Sequence, residues 1–144
     1  MITIIRNAKV YQPEYAGAKD VMLIGSQIGV LGENLKADLG GAVPVKEIDG
    51  TGLILIPGLI DGHEHIMGGG GEGGFHTRTP EAGLTDLTMN GVTTVVGCIG
   101  TDGVARNMEA LLAKAHALEE EGVTTYVYTG SYQVPVHTVT GDVM

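Results

Sequence analysis

The sequence predicts an α/β chain in which a small β unit over residues 1–52 precedes, over 53–144, the first modules of a parallel β/α array of barrel type. Three observations carry this prediction. Short apolar stretches separated by turn residues fill the first fifty positions. A continuously apolar run, Leu53-Ile54-Leu55-Ile56, then reads as a strand covered on both faces. Finally, the tetrapeptide Gly-Val-Thr-Thr occurs at 91–94 and again at 122–125, each time closing a helical stretch and opening a strand.

The elements follow from local pattern. Ile2 to Ile5, Val21 to Ile24 and Ile28 to Leu31 read as strands, the last two joined across a Gly25-Ser26 hairpin turn. Thr79-Pro80-Glu81 offers a capping hydroxyl, a proline at the first helical position and an acid in the first turn, so a helix is expected from there to Gly91, with Leu84 and Leu87 on one face. Val92 to Val96 resumes as strand. A second helix is expected from Asn107, with Leu111, Leu112, Ala115 and Leu118 along one stripe, ending at Gly122 before a strand at Val123 to Tyr128. Strands near Leu55, Val95 and Tyr126 give three modules, whereas a closed barrel has eight and needs about 250 residues. The array is therefore expected to be unfinished.

Composition removes several functions. Seventeen acidic against eight basic residues give a net charge of −9, which repels phosphate backbones and leaves no basic stripe, so nucleic acid is excluded as a partner. No apolar run reaches the ~20 residues of a membrane span, and the N-terminus lacks a basic region followed by an apolar segment and cleavage site. No membrane partner and a cytoplasmic location are expected. The single cysteine, Cys98, lies in the apolar run Val95-Val96-Gly97-Cys98-Ile99 and reads as a small core residue, not a nucleophile.

Chemistry concentrates at Pro57-Gly58-Leu59-Ile60-Asp61-Gly62-His63-Glu64-His65. In an extended segment, residues two apart share a face, so His63 and His65 can offer two imidazoles to one metal while Glu64 points away. A lone His-x-His pair is weak evidence; its place at the C-terminal end of a barrel-type strand, where such folds put their active sites, is what favours ligands. Asp61 is close enough to orient one of them. Four glycines at 68–71 let backbone approach a ligand and expose N–H donors, or else make a flexible loop. They do not fit a phosphate loop, whose lysine and Ser/Thr are missing. On its own pattern, Glu72 is a loop acid, Thr101 a turn hydroxyl and Tyr132 a half-buried aromatic. His76, His116 and His137 have no spaced partner.

With these residues the sequence resembles the amidohydrolase superfamily, whose members carry a small β unit followed by Pro-Gly-Leu/Phe-Ile-Asp-x-His-x-His. The stretches 66–72 and 77–81, with Gly100-Thr101-Asp102 and Thr129-Gly130-Ser131-Tyr132, resemble the isoaspartyl dipeptidases in particular. That resemblance implies an incomplete metal-dependent-hydrolase TIM barrel. It implies zinc, two ions per complete subunit, bridged by a carboxylated lysine and hydroxide, with two more histidines and an aspartate completing the set. His63 and His65 would furnish one side of that centre. Gly70, Gly71 and Glu72 would contact the aspartyl part of a small β-aspartyl dipeptide, Glu72 pairing with its α-amino group, while Thr101 and Tyr132 join the pocket and Tyr132 polarises the scissile carbonyl. A homo-oligomer is implied for the complete form.

The sequence reaches Gly141-Asp142-Val143-Met144 without a match to the bridging lysine or later ligands, and Lys114, Arg78 and Arg106 do not substitute by pattern. The chain is expected to be the front portion of such an enzyme and inactive alone. Two alternatives stand beside this reading: another amidohydrolase acting on a cyclic amide or an N-acyl amino acid, and a non-catalytic remnant that binds a partner or a metal.

Overall fold

The computed structural model describes residues 1–142, so Val143 and Met144 lie outside the described residues. It divides into two compact units, Met1–Pro57 and Gly58–Met144. The α/β class is as expected: a unit of strands, then parallel β/α modules.

The first unit is a sheet of β1 (Ile2–Tyr11), β2 (Tyr15–Ile24), β3 (Gln27–Gly32) and β4 (Val45–Asp49), in the order β3-β2-β1-β4, with β5 (Ile54–Leu55) also paired to β1. β1–β2 and β2–β3 are antiparallel, and β4 and β5 run parallel to β1. Gly25, at φ 62°, supplies the left-handed turn between β2 and β3. A bulge interrupts β1 between Ile5 and Ala8, where Asn7 adopts φ 53°. The extra residue changes which face later side chains occupy. Ile2 and Ile4 therefore pack with Met22, whereas Ala8 and Val10 pack with the adjacent Val21.

Asp20 holds that bulge. Its Oδ1 accepts from the Asn7 N–H at 2.9 Å, and its Oδ2 accepts from the Leu35 N–H at 3.0 Å and from Arg6 Nη1 at 2.8 Å. Arg6 also pairs with Glu47 on the neighbouring β4. Donation from the Asn7 amide first, and then from Arg6, holds the Asp20 carboxyl below the usual carboxylate range.

In the second unit, β6 (Leu59–Glu64), β7 (Val92–Gly97) and β8 (Thr124–Val127) form a parallel sheet in that order. Between β6 and β7 come a 3-10 turn at Phe75–Thr77 and the short helix α1 (Leu84–Thr88); α2 (Met108–Glu120) lies between β7 and β8. The buried stripe of α2 is Met108, Leu111, Ala115 and Leu118. It packs with Ile66, Leu87, Val95, Ile99 and Val123 in one core. Asn107 caps α2 as expected, its side chain accepting from the Ala110 N–H at 2.9 Å, and Gly122 at φ 101° follows the helix.

Three expectations change. Leu53 to Ile56 is not the first strand of the β/α array. Ile54 and Leu55 belong to the first sheet through two residue pairs with β1, Leu53, Ile54 and Ile56 are exposed, and the units divide after Pro57 instead of at 52/53. Parallel pairing to β1 claims this apolar run before Pro57 can end it. The helix announced by Thr79-Pro80-Glu81 begins only at Leu84, because Thr79 is drawn into bonds with Gly69 and Asp86 supplies the cap by accepting from the Gly83 N–H at 2.7 Å. β4 was not foreseen: its five residues are all exposed and carry no clear alternation of burial.

Leu111 is fully buried, so Leu111→Ala is expected to cost about 2–5 kcal/mol, read as a lower urea midpoint. Because the Asp20 carboxyl is depressed in the fold, its contribution is present above the unfolded value and is lost as pH falls through the folded one. Asp20→Ala should lower stability at neutral pH by about 1–3 kcal/mol, and should shrink that difference at strongly acidic pH. Denaturant titrations at both pH values check the sign.

Candidate functional site

The site is built where β6 runs out. His63 lies near the end of the strand and His65 just beyond it, their ring centroids 5.4 Å apart. Cys98, immediately after β7, completes a group whose potential ligand atoms all lie within 4.8 Å of one another. The pairing of β6 with β7 explains the convergence. Asp61 sits opposite Val95 but Glu64 opposite Gly97, so β6 carries an extra residue between them.

That irregularity also alters two expected orientations. Glu64 does not simply point away: its carboxyl lies against Asp61, and burial first, then the Asp61 charge, pushes it above the usual range. Asp61 does not hold an imidazole, because its Oδ1 accepts from the His63 backbone N–H at 3.0 Å. It fixes the backbone of a ligand candidate instead.

His65 Nδ1 is buried with no hydrogen-bond partner. The wall beside it is Gly100, where an added Cβ would come within 2.8 Å of the ring at Nδ1 and Cε1. Two imidazoles and a thiol gathered in one place, one of the imidazoles with a buried nitrogen that has no partner, are a donor set suited to a borderline transition metal such as zinc. The residues present therefore fit the metal that the sequence implies. Tyr128 closes the other side of His63, with ring centroids 5.7 Å apart, and its hydroxyl donates to the Gly62 carbonyl at 3.0 Å.

After His65 the chain enters the glycine-rich loop, which is ordered by its own bonds. The Gly68 N–H donates to the His65 carbonyl at 2.6 Å, Gly69 N–H to Thr79 Oγ1 at 2.7 Å, and Gly71 N–H to Thr77 Oγ1 at 3.1 Å. Those three donors are spent on the loop, contrary to their expected use toward a ligand. The other use of glycine holds. At Gly68 (φ 81°) a Cβ would lie 2.3 Å from the Thr79 carbonyl oxygen, and at Gly70 (φ 75°) 2.3 Å from that of Thr77. The two arms of the loop approach too closely for any side chain.

Arg106 locks the arms together. Only 4% exposed, its guanidinium donates to the carbonyls of Met67 at 2.9 Å, Gly69 at 3.3 Å and Thr79 at 2.9 Å. Asp102 faces it at 3.7 Å and also faces Arg78 Nε at 2.9 Å, without hydrogen-bond alignment in the latter pair. Bonds from the backbone N–H groups of Ala105 and Val104, with the two guanidinium charges, hold the Asp102 carboxyl below its usual range.

The loop so held brings Glu72 to Thr101, whose hydroxyl donates to Glu72 Oε1 at 2.5 Å. That bond depresses the Glu72 carboxyl, and His65 is near enough to add a small effect in the same direction. Gly71, Glu72, Thr101 and Asp102 line a recess of about 250 Å³ with Phe75 and Val104. The sequence-predicted residues Gly70, Gly71, Glu72 and Thr101 are thus assembled on one loop pair beside His65. Tyr132 stands in the segment after β8, 76% exposed. Arg106, Asp102 and Tyr128 were not singled out for the site. A lone Arg and Asp four apart gave too little pattern, although their polarity next to a glycine-rich loop was the available signal.

No family model matches the chain. Over 99% of its length it is 53% identical to a beta-aspartyl dipeptidase from Fervidobacterium islandicum AW-1, solved in complex with beta-Asp-Leu dipeptide, with a TM-score of 0.87; it covers 37% of that protein. Among curated proteins, 93 residues, 65% of the chain, are 36% identical to an allantoinase of Salmonella paratyphi B, of which they cover 18%. Dihydropyrimidinase from Brevibacillus agri NCHU1002, 24% identical with a TM-score of 0.57, shares the fold over 93% of this chain and 29% of its own.

Arg106→Lys should loosen the loop, since an ammonium cannot reproduce a planar three-carbonyl clamp. Loss of about 1.5–3 kcal/mol of charged hydrogen bonding corresponds to roughly 10- to 150-fold faster amide exchange at Gly69 and Thr79. Exchange rates equal to those of the unaltered chain would refute the clamp.

Proposed function

We propose that this chain, similar over 99% of its length to beta-aspartyl dipeptidases, forms one side of the active site of a zinc-dependent hydrolase that cleaves the isopeptide bond of β-aspartyl dipeptides. The observation that carries this reading is the placement of an ionised Glu72, steadied by Thr101, on the loop that leaves His65.

His63 and His65 would hold zinc through their imidazoles, with Asp61 fixing the backbone of the first and Gly100 leaving room beside the second. When bound, zinc supplies a Lewis acid that makes hydroxide available near neutrality and polarises an amide carbonyl. Glu72 would receive the free α-amino group of the substrate as a charge-assisted pair, with Gly70 and Gly71 bounding the aspartyl part. Tyr132 would donate to the scissile carbonyl as charge develops there. A second zinc, the bridging lysine and the remaining ligands would come from elsewhere in a complete protein, which the resemblance implies to be a homo-oligomer. No helix among the described residues is long and apolar enough to cross a membrane, and a cytoplasmic location belongs to the same reading.

The allantoinase similarity keeps a cyclic-amide hydrolase as the second reading. The two separate on the substrate's amine: a β-aspartyl dipeptide carries a free ammonium for Glu72, and a cyclic amide does not.

In the complete enzyme that contains this chain, β-Asp-Leu should be hydrolysed in preference to both α-Asp-Leu and allantoin. Glu72→Gln should lower kcat/KM for β-Asp-Leu by about 10- to 100-fold, the range expected when a hydrogen bond to a charged group is lost. Preferential turnover of allantoin would transfer the assignment to the cyclic-amide class. The 144-residue chain by itself is expected to show no zinc-dependent turnover, because it furnishes only part of the ligand set; measurable β-Asp-Leu hydrolysis by the purified chain would overturn that.

A further inference from the structure

We propose that Cys98 is a third metal ligand in this chain, so that the isolated chain binds one zinc-class ion through His63, His65 and the Cys98 thiolate. The inference rests on reading the two histidines as ligands and adds a residue that reading does not contain.

Three observations converge. The candidate donor atoms of His63, His65 and Cys98 already lie within 4.8 Å of one another. Around a tetrahedral zinc with bonds to nitrogen and sulfur, ligand atoms sit roughly 3.3–3.8 Å apart, so modest side-chain rotations close the set. His65 Nδ1 is buried and has no partner in the protein. Cys98 is buried and unpaired to any other cysteine, and its thiol makes a long contact of Sγ to the Glu64 carbonyl at 3.5 Å. A weak donor bond of this kind is readily exchanged for a metal bond.

Backbone structure explains why this cysteine, and not an apolar neighbour, reaches the site. In the strand β7, Val95 is buried in the core beneath α2, and at Gly97 an added Cβ would strike Ile66 and Leu111 of the same core. Alternation therefore sends Cys98 to the opposite face, toward the histidines. The parallel register places Glu64 beside Gly97, and the Cys98 N–H donates to the Glu64 carbonyl at 2.9 Å. The thiol is thereby tied to the segment that holds both imidazoles.

The electrostatics agree with a cation. The Glu64 and Asp61 carboxylates lie near the Cys98 thiol. A divalent ion bound there would displace the thiol proton to water, and the two carboxylates would stabilise the positive site. Sulfur ligation with two imidazoles selects zinc or cobalt over magnesium or calcium.

The test uses the 144-residue chain titrated with Co²⁺, whose visible bands report coordination and whose near-ultraviolet thiolate-to-metal band reports sulfur. The expected result is one Co²⁺ per chain with both signals. Cys98→Ser should abolish the thiolate band and weaken Co²⁺ binding at least tenfold while leaving far-ultraviolet circular dichroism unchanged. His65→Ala should remove the visible bands. If Co²⁺ binds with visible bands but no thiolate band, the Cys98 assignment is wrong and the histidine reading stands. If no Co²⁺ binds to the unaltered chain, both are wrong.

Discussion

The buried guanidinium of Arg106 is the constraint from which the site takes its shape. A loop with glycines at 68–71, 73 and 74 has the largest conformational entropy to lose of any segment in the chain. Three carbonyls gathered by one planar cation restrict the two arms together, and Asp102 neutralises that cation from the far side. The glycines are needed because the clamp is tight: with the Thr77 and Thr79 carbonyls so close, a Cβ at Gly68 or Gly70 would overlap backbone. Flexibility in the sequence becomes closeness in the fold. Only after the arms are fixed can Glu72 face Thr101 at hydrogen-bond distance.

The extra residue in β6 is the second device, and it works with the first. A regular pleat would hold Asp61, His63 and His65 on one face and Glu64 on the other. The observed slip gathers Glu64 and Asp61 and turns His65 toward Gly100 and Cys98, where β7 offers a surface without a side chain at one position and with a thiol at another. The bulge at Asn7 and this one are each anchored by an aspartate accepting a backbone N–H, Asp20 in the first unit and Asp61 in the second. A carboxylate is well suited to this task because the irregular backbone frees donors that the ladder no longer uses.

Much of this was legible in the sequence, and the exceptions have physical causes. The helix α2 was readable because a capping Asn, the stripe of Leu111, Ala115 and Leu118 and a closing glycine agree, although Met108 and not Leu112 completes that stripe. The approach of His63 to His65 was readable because their spacing and strand-end position point the same way. β5 was misread since an apolar run states that it will be covered but not by which sheet, and pairing to β1 is a long-range choice. The start of α1 was misread because Thr79, a good cap in isolation, has a better use joining Gly69. Cys98 was read as core from its apolar neighbours, and it is indeed buried. Which face it occupies depends on which residues of β7 turn into the core with α2, and a run that is apolar throughout does not specify that.

The chemistry of Glu72 bears on specificity in a way that follows from the same restraint. Thr101 occupies Oε1 and keeps the carboxyl ionised, which leaves the second oxygen to meet a cation entering the recess. A ligand with an ammonium at that point compensates the charge as it displaces water. A neutral ring placed there would strip solvent from the carboxylate and return nothing, and a site that leaves a polar group unpaired discriminates more strongly than one that merely lacks a contact. If the proposed reading holds, this arrangement would favour a substrate with a free amine over a cyclic amide, even though sequence similarity extends to enzymes named for both.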